Sequence, residues 1–476
     1  MTLRLYDTRA QQLRDFVPLD PENVTMYVCG PTVQSGPHIG HVRAALSFDL
    51  LRRWLTHRYG RVTFVRNVTD IDDKVLENAT AEEPWWALAY RIEREFTAAY
   101  AGVGILPPTY EPRATGSIPQ MQELIRALID RGHAYPADDD SGDVYFDVRS
   151  WPEYGALTHQ AVEDMADAED APVRAKRSPQ DFALWKGAKP EEPADAVWGS
   201  PWGAGRPGWH IECSAMSKRY LGPEFDVHGG GLDLRFPHHE NELAQSAAAG
   251  DGFAQYWVHN GLVTVNGQKM SKSIGNVTLA ADVLAEHDAL VVRYALAAAH
   301  YRSTLDLTAS SYAEAEAALA RIETFRQRAL RALRGRGHGP GFSPAGFVAV
   351  AARIPDAFAV VMDDDLGVPQ ALAVLHETVR AGNAMLDRDD LDGAAAALSE
   401  VAGMTGILGL VPSGGTSAGT AEASALDALV RTMIDQRAQA RADKDWAAAD
   451  RIRDAIAHAG IVLEDGPDGT HWSIDG

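Results

Sequence analysis

The sequence predicts an α/β protein with a parallel sheet near the N-terminus, a helical region after it and a small mixed α/β module at the C-terminus. The stretches NVTMYVCG and RVTFVRNV are typical of strands, and HVRAALSFDLLRRWL between them predicts an amphipathic helix. One face of that helix carries the apolar residues Val42, Leu46, Leu50 and Trp54. Strand, helix and strand in succession favour a parallel sheet, whose ligands bind beyond the carboxyl ends of its strands. Ala-rich sequence from about 310 to 405 has a helical pattern throughout, and residues 425–476 combine helices with the short strands IVLED and THWSI.

Size and charge limit the classes of function. A chain of 476 residues and 51.5 kDa exceeds the size at which one hydrophobic core stops growing, so we expect several domains. No apolar run approaches the roughly 20 residues of a membrane span, and the start MTLRLYDTRA lacks the apolar middle of a signal peptide. We therefore expect a cytoplasmic protein, in which two cysteines are too few for a disulfide framework.

The net charge of −22 argues against non-specific binding of nucleic acid over the whole surface. An RNA partner therefore requires a local basic patch. The stretch RIETFRQRALRALRGRGHG is one candidate, although a solvated helix face is the favoured interpretation. Its arginines are Arg321, Arg326, Arg328, Arg331, Arg334 and Arg336.

The motif GPHIGH is a candidate phosphate site. His38 and His41 flank Gly40 where the first long helix begins. A phosphate there would meet a closely approaching backbone, a helix N-terminus and two imidazole N–H donors together. Alone the motif is a weak signal, because such a tetrapeptide often arises by chance.

The motif KMSKS is a second candidate. Asn266 and Gly267 predict a tight turn after a strand, and Lys269 and Lys272 follow that turn on a loop. Their ammonium groups could neutralise charge that grows on a leaving pyrophosphate, although a solvated loop is an equally good interpretation of this motif alone. The two motifs together, in this order and roughly 230 residues apart, form a strong signal.

This pair resembles the HIGH and KMSKS signatures of class I aminoacyl-tRNA synthetases, which have a Rossmann-type fold. The segments YVCGPTVQSGPHIGH, RNVTDIDDK, GWHIECSAM, FPHHENE and KDWAAADRIRD resemble bacterial cysteinyl-tRNA synthetases, and they extend over essentially the whole chain. The resemblance implies a monomeric ligase that uses ATP with Mg²⁺ to form cysteinyl adenylate. It then transfers the cysteine to the 2′-hydroxyl of the terminal adenosine of cysteine tRNA.

Changes in composition, combined with the resemblance, predict the domain organisation. An Asp-rich turn and an acidic stretch mark an insertion, and VPSGGTSAGTAEAS is typical of a flexible linker. The predicted segments are a first catalytic half (1–118), a connective insertion (119–199), a second catalytic half (200–250), a stem-contact region with the KMSKS loop (251–315), a helical bundle (316–410), a linker (411–424) and an anticodon-binding module (425–476).

A metal site is the second prediction from the residues. His238 and Glu242 are four apart, so they can converge on one ion across a helical turn that Pro237 could start. Together with the two cysteines they offer two sulfurs, a nitrogen and an oxygen, a set suited to zinc. From the residues alone, His239 or His210 is nearly as good as His238, and HHENE could simply begin a polar helix. The resemblance implies one zinc per chain on Cys29, Cys213, His238 and Glu242.

Position favours a functional zinc over a structural one, although closed four-ligand sites are most often structural. Cys29 and Cys213 are 184 residues apart, and Cys29 precedes His38 by nine, which places the metal beside the predicted nucleotide site. Apolar contacts distinguish serine from cysteine by only about 1–3 kcal/mol, whereas zinc prefers a thiolate to a hydroxyl. The predicted task is therefore selection of the substrate thiol, without an editing domain.

The resemblance implies further site residues. For each, an ordinary structural role such as core packing or capping is the alternative. Gly229, Gly230 and Gly231 fit a close backbone approach to adenosine, beside Gly40 and Lys272 at the ATP phosphates. The implied substrate residues are Thr69, Trp209, His228 and Asp233. The implied anticodon residues are Arg441, Trp446, Asp450 and Asp465, whose types suit stacking and hydrogen bonding to bases.

Two other functions fit part of this pattern. A cysteine ligase resembling the mycothiol-pathway enzyme would share the fold and zinc site, but would join cysteine to an amino sugar. Its family lacks the C-terminal module KDWAAADRIRD...THW. A non-catalytic RNA-binding relative would not need the complete HIGH and KMSKS motifs that this chain retains.

Overall fold

The computed structural model describes residues 2–165, 176–270, 277–334, 352–411, 417–466 and 469–474. The described residues fall into two compact units. The first contains the chain up to Leu319 together with Asp356–Val374 and Ile407–Gly409, and the second contains the remainder. Among the described helices, none combines the length and apolar character needed to cross a membrane.

The secondary structure alternates between strands and helices in the first part of the chain and is mainly helical afterwards. The strands are β1 (Arg4–Asp7), β2 (Gln12–Asp15), β3 (Val24–Val28), β4 (Val62–Arg66), β5 (Ala134–Pro136), β6 (Val144–Phe146), β7 (Phe182–Gly187), β8 (Gly205–Pro207), β9 (Glu224–Gly231), β10 (Phe253–Asn260), β11 (Val263–Val265), β12 (Gln268–Lys269), β13 (Leu305–Leu307), β14 (Ile461–Gly466) and β15 (Gly469–Ile474). The helices are α1 (Ile39–Tyr59), α2 (Asp73–Asn78), α3 (Trp85–Gly102), α4 (Ile118–Asp130), α5 (Trp209–Leu221), α6 (Glu240–Ala248), α7 (Ala280–Glu286), α8 (Ala289–Ala297), α9 (Ala309–Arg334), α10 (Asp356–Asp363), α11 (Val368–Asp387), α12 (Leu391–Leu408), α13 (Ser417–Ala442) and α14 (Trp446–His458).

A four-stranded parallel sheet in the order β10, β9, β3, β4 forms the centre of the first unit. The predicted strand–helix–strand pattern is confirmed, because α1 connects β3 to its parallel neighbour β4. The predicted apolar face of α1 is also confirmed, since Val42, Leu46, Leu50 and Trp54 are all buried. All four strands therefore end at the same edge of the sheet.

The segment between α3 and α5 contains a second sheet, which is antiparallel and has the order β5, β6, β7, β8. Its strand β8 lies beyond residue 199, where the sequence analysis ends the insertion. Antiparallel pairing explains this extension, because β8 completes the sheet by pairing with β7 before the chain returns to the parallel sheet.

The hairpin that precedes KMSKS is formed by β11 and β12, and β13 pairs with β11 in parallel. Asn266 and Gly267 have φ angles of 51° and 76°. Positive φ at both central residues is the signature of a type I′ turn, so the predicted tight turn is confirmed.

The second unit contains most of the helical region and the C-terminal module. The helical pattern predicted for about 310 to 405 is confirmed by α9 to α12 in the described residues of that range, and its residues 335–351, which include Arg336, lie outside them. The two predicted terminal strands pair as antiparallel β14 and β15. Helix α13 begins at Ser417, inside the predicted linker 411–424, so that linker prediction is too long. The Ala and Glu residues after SGGTSAG have high helix propensity, which the Gly/Ser composition obscured.

A buried ion pair joins α1 to α8 in the first unit. The Arg293 guanidinium is inaccessible to solvent and donates to Asp49 Oδ2 at 2.5 Å, to the Val103 carbonyl at 3.0 Å and to the Leu408 carbonyl at 2.8 Å. Burial lowers the pKa of Arg293, and the attraction of Asp49 opposes that change. Each N–H group that the guanidinium directs at these partners is satisfied, as a buried cation requires.

We predict that Arg293→Met destabilises the first unit by about 3–5 kcal/mol, because it leaves the Val103 and Leu408 carbonyls without this donor and removes one of the two arginines that pair with the buried Asp49 carboxylate. Urea unfolding monitored by tryptophan fluorescence would measure the loss. Arg113→Met is the matched control: Arg113 pairs with Glu93 at 2.8 Å but is 46% exposed, so its loss should cost less than about 1 kcal/mol. Equal losses of unfolding free energy in the two variants would contradict the larger contribution that we assign to the buried Arg293.

Candidate active site and metal centre

The predicted site residues follow the carboxyl ends of the central strands. Cys29 comes directly after β3, Thr69 lies just beyond β4, and Asp233 follows β9. The Cys29 backbone N–H donates to the Gly229 carbonyl at 3.1 Å, which holds the end of β3 against β9. Strand β3 has β4 on one side and β9 on the other, so the strand order reverses here. Ligands of parallel sheets bind in the crevice at such a reversal.

The four predicted metal ligands converge at this edge. Ligand atoms of Cys29, Cys213, His238 and Glu242 all lie within 4.8 Å of one another. The Cys29 thiol donates to Glu242 Oε1 at 3.2 Å, and His238 Nε2 lies 3.0 Å from the same oxygen. Cys213, His238 and Glu242 are buried, whereas Cys29 is half-buried. The only two cysteines of the chain thus meet, although 184 residues separate them.

Helical geometry brings His238 and Glu242 together, as the sequence analysis predicted from their spacing of four residues. The helical turn Arg235–His239 leads into α6, which runs from Glu240. Phe236 has extended backbone, whereas His239 and Glu240 have α-helical φ and ψ angles. The break in helical backbone therefore lies just before Pro237, which is compatible with the predicted helix start at that proline. Cys213 comes from α5, which packs beside α6.

Burial is the largest influence on each pKa in this cluster. Burial raises the pKa of the Cys29 thiol well above its usual range, and Cys213 adds to the rise. Burial also raises the pKa of Cys213, but hydrogen bonding with Cys29 and the neighbouring His238 lower it to about 6. Burial lowers the pKa of His238, yet Glu242 and Cys213 raise it to about 10. Burial raises the pKa of Glu242, but the imidazoles of His228 and His238 hold it well below its usual range. The Glu242 carboxylate therefore stays ionised, and its negative charge favours a cation among the donor atoms of the cluster.

A second group of possible metal ligands includes two residues of the first group, Cys29 and Glu242. Ligand atoms of Cys29, His228, His239 and Glu242 also lie within 4.8 Å of one another. His228 Nε2 lies 2.9 Å from Glu242 Oε2, and His239 Nε2 lies 4.0 Å from Glu242 Oε1. The sequence analysis considered His239 as a ligand but did not foresee this group. The first group has two sulfurs instead of one, which suits zinc better.

The metal-binding cluster is packed against further rings, those of His210, His239, His259 and Trp209. His239 Nδ1 and His259 Nε2 are 2.8 Å apart, and His210 Nδ1 and His238 Nδ1 are 3.0 Å apart. The Trp209 ring stacks on the His238 ring with centroids 4.2 Å apart. Such contacts orient metal-binding imidazoles and fix their tautomers. The sequence analysis missed His259, for which the available signal was a polar residue near the carboxyl end of the buried strand β10.

The predicted substrate residues divide into two groups. His228 and Trp209 contact the metal cluster directly, as described above. Thr69 is buried beside it, and its hydroxyl donates to Glu212 Oε2 at 2.8 Å. Asp233 lies in the turn Leu232–Leu234 at the end of β9, farther along the edge of the sheet.

His38 and His41 form the cap of helix α1. The Gly40 N–H donates to His38 Nδ1 and the His38 N–H donates to His41 Nδ1, both at 3.2 Å. Their rings stack with centroids 3.6 Å apart. Because each Nδ1 accepts a hydrogen bond, each neutral ring carries its proton on Nε2. A Cβ on Gly40 would lie 3.0 Å from the His38 ring and 3.2 Å from Met270 Cε, so this position has little room for a side chain.

The described residues before and after 271–276 both lie beside the HIGH segment. Lys269 is the last residue of β12, and Lys272 lies outside the described residues. Before the gap, Met270 faces Gly40. After the gap, the Thr278 carbonyl accepts from the Ile39 N–H at 3.0 Å, and the Ala280 N–H donates to the Pro37 carbonyl at 2.9 Å. The start of KMSKS, at Met270, therefore lies beside the HIGH motif although the two are distant in sequence.

Three predicted ATP-binding glycines contact side chains of the chain itself. An added Cβ would lie 2.2 Å from Phe48 at Gly229, 2.7 Å from His239 at Gly230 and 2.4 Å from Asp233 at Gly231. Close packing against Phe48 and His239 thus accounts for Gly229 and Gly230, whereas the Asp233 carboxylate opposite Gly231 is the end of a side chain that can move. Contact of the three glycines with ATP stays a prediction.

The predicted anticodon residues lie in the C-terminal module. Trp446 is the first residue of α14 and is 59% exposed, and Asp450 follows it by one turn and pairs with Arg453 at 3.2 Å. Arg441 lies near the end of α13, and the backbone of Asp465 lies in β14 opposite Thr470. Helix α14 packs on a small core that contains Val430, Ile456 and Ile461 together with Trp472.

Comparisons with known families and solved structures agree with this architecture. Residues 15–317 match the model described as tRNA synthetases class I (C) catalytic domain. Residues 357–411 match the DALR domain, and residues 423–472 match the cysteinyl-tRNA ligase anticodon binding domain. A methionyl-tRNA synthetase structure from Mycobacterium tuberculosis, in complex with methionyl-adenylate, has a TM-score of 0.58 at 16% identity and covers 82% of this chain and 90% of its own. At that identity the likeness concerns the fold alone.

Curated relatives are similar over their full length. The protein named "Cysteine--tRNA ligase" from Clavibacter michiganensis subsp. michiganensis is 63% identical over 100% of both chains. The protein of the same name from Micrococcus luteus is 61% identical, again over 100% of both chains. With a catalytic-domain model that matches more than half of its residues, the chain belongs to the cysteinyl-tRNA synthetase family of class I aminoacyl-tRNA synthetases.

Proposed function

We propose that the chain joins L-cysteine to cysteine tRNA in two steps at the carboxyl edge of the central sheet. In the first step, a carboxylate oxygen of cysteine attacks the α-phosphorus of ATP, which enters with Mg²⁺, and pyrophosphate leaves. In the second step, the 2′-hydroxyl of the terminal adenosine attacks the carbonyl carbon of cysteinyl adenylate, and AMP leaves. The observation that carries this proposal is the meeting of the only two cysteines with His238 and Glu242 in a chain similar to cysteine–tRNA ligases throughout its length.

Charge stabilisation is the proposed task of the two signature motifs. The Nε2–H groups of His38 and His41, at the N-terminus of α1, would donate to phosphate oxygens as negative charge moves towards pyrophosphate. Lys269 and Lys272 would supply positive charge from the adjoining segment. Positioning of ATP and cysteine at one edge would provide the remaining acceleration.

Selection of cysteine is the proposed task of the metal centre. Cys29, Cys213, His238 and Glu242 would hold a zinc ion, and their mixture of sulfur, nitrogen and oxygen donors suits that ion. When bound, zinc favours a thiolate over the hydroxyl of serine. Trp209 and His228 would form the walls around the substrate side chain, Thr69 would contribute a buried hydroxyl, and Asp233 would hold the ammonium group.

The tRNA would bind through the C-terminal module at its anticodon. The exposed Trp446 ring would stack on a base, while Asp450, Asp465 and Arg441 would make polar contacts with the anticodon. The alternative function, transfer of cysteine to an amino sugar, is not favoured, because the match to an anticodon binding domain at residues 423–472 has no use in that reaction.

We predict about one zinc ion per chain and a selective effect of Cys213→Ser. A hydroxyl is a poor replacement for a thiolate ligand, so zinc content should fall and the KM for cysteine in pyrophosphate exchange should rise, with little change in ATP binding. Metal analysis and exchange kinetics would measure these quantities. Ser217→Ala, one turn later on the same helix, is the matched control. Carefully prepared wild-type protein without zinc would refute the metal proposal.

We predict that His38→Asn lowers kcat of pyrophosphate exchange on the order of 100-fold with a small change in KM for ATP. Asparagine is a favoured N-cap residue, so α1 should keep its cap while the Nε2–H donor is lost. Steady-state exchange kinetics test this directly. His57→Asn in the last turn of the same helix is the control and should keep normal activity. A kcat within twofold of wild type would remove His38 from the catalytic machinery.

We predict that Trp446→Ala weakens tRNA charging without affecting pyrophosphate exchange. Stacking of one base on an aromatic ring contributes about 1–3 kcal/mol, which corresponds to a rise in the KM for tRNA of roughly 5- to 150-fold. Leu429→Ala is the matched control, because Leu429 has the same 59% exposure in the same module. Charging assays with a cysteine tRNA transcript would compare them, and unchanged charging by Trp446→Ala would contradict the anticodon assignment.

A further inference from the structure

Asn67 lies directly after β4, at the edge where the metal ligands meet. Its side chain is only 1% exposed. The segment RNVTDIDDK that contains it supplied only Thr69 to the predicted site. Buried amides must find hydrogen-bond partners, so the partners of Asn67 indicate what it holds in place.

The acceptor end of the amide contacts both cysteine-bearing segments. The Gly30 N–H, next to Cys29, donates to Asn67 Oδ1 at 2.8 Å. Cys213 Sγ lies 3.5 Å from the same oxygen, in contact with it. Cys29 follows a strand of the sheet and Cys213 belongs to helix α5, so a single side chain links two distant parts of the chain.

The donor end of the amide contacts the predicted substrate pocket. Asn67 Nδ2 donates to Thr69 Oγ1 at 3.2 Å, and Thr69 in turn donates to Glu212. The Gly30 N–H requires an oxygen opposite it and the Thr69 hydroxyl accepts from the nitrogen, so these two contacts fix the orientation of the amide.

Backbone packing at the same place leaves no room for adjustment. A Cβ on Gly30 would lie 1.6 Å from the Asn67 carbonyl oxygen, so the two segments touch backbone to backbone. The Cys29 loop is therefore located by Asn67 through both its side chain and its main chain.

A bound metal ion requires ligands that neighbouring groups hold in position. Zinc–ligand distances are about 2.0–2.3 Å, and partners that orient the ligands typically change metal affinity by about 10–100-fold when they are removed. We propose that Asn67 is a positioning residue that sets the Cys29 loop, Cys213 and Thr69 relative to one another, and thereby sets both metal affinity and the fit of the substrate thiol. This inference rests on the proposed metal centre.

Zinc affinity of the full-length protein is the primary test, measured by competition with a chromophoric chelator. Asn67→Ala removes the amide and should weaken zinc binding by about 10–100-fold. It should also raise the KM for cysteine in pyrophosphate exchange while leaving the KM for ATP unchanged. Asn67→Ser keeps a polar side chain but shortens it, so its hydroxyl should not reach the Gly30 N–H and zinc affinity should fall by more than about threefold.

Asn23→Ala controls for a purely structural effect. Asn23 joins the same two strands at their opposite ends, where its Oδ1 accepts from the Thr63 hydroxyl at 2.8 Å. Its replacement should change the thermal unfolding temperature but leave zinc affinity and the KM for cysteine as in wild type.

The possible outcomes separate this inference from the proposed function. Wild-type protein that binds no zinc would overturn both. Wild-type protein that binds zinc, with Asn67→Ala binding it equally well, would overturn the role of Asn67 alone. An equal loss of zinc affinity in Asn23→Ala would also overturn it. If Asn67→Ala fails to fold, Asn67→Ser decides: zinc affinity within about threefold of wild type contradicts the proposal, and a larger loss supports it.

Discussion

The buried carboxylate of Glu242 is the constraint around which the active site is arranged. An ionised carboxylate inside a protein is costly unless charges and hydrogen bonds compensate it. Here the Cys29 thiol and the imidazoles of His228 and His238 all approach its two oxygens within 3.2 Å. Those partners come from the residue after β3, from β9 and from the turn before α6, so compensation of one charge holds together three segments of the first unit.

The same arrangement explains how a site for thiol chemistry can exist in a chain with two cysteines. Neither cysteine has a cysteine neighbour in sequence, as a local zinc knuckle would provide. Tertiary structure supplies the proximity instead, because β3 delivers Cys29 to the carboxyl edge of the sheet and helix α5 brings Cys213 to the same place. Asn67, between the two cysteine segments, is the side chain through which the end of β4 joins this assembly.

Because the chain is strongly acidic, its binding to RNA must rely on local contacts. With a net charge of −22, general attraction to a polyanion is absent, so recognition depends on particular surfaces. Two arginines of the predicted basic stretch illustrate the point. Arg326 pairs with Glu323 at 2.5 Å, and Arg328 pairs with Asp387 at 2.8 Å, so part of its charge is already neutralised within the second unit. Recognition of RNA by specific contacts of the C-terminal module is consistent with a chain whose positive charge in this stretch is partly paired.

Local sequence determined a large part of this protein. Hydrophobic periodicity predicted β3, α1 and β4, the pair Asn266 and Gly267 predicted the type I′ turn, and a spacing of four predicted the approach of His238 to Glu242. These features depend on interactions between near neighbours in the chain. Only the tertiary structure decided that His259 supports the cluster, that His228 and His239 form a second donor group with Cys29 and Glu242, and that Asn67 joins both cysteine segments. Such contacts arise where separate strands end at one edge of a sheet, and no local pattern encodes which distant residues will meet there.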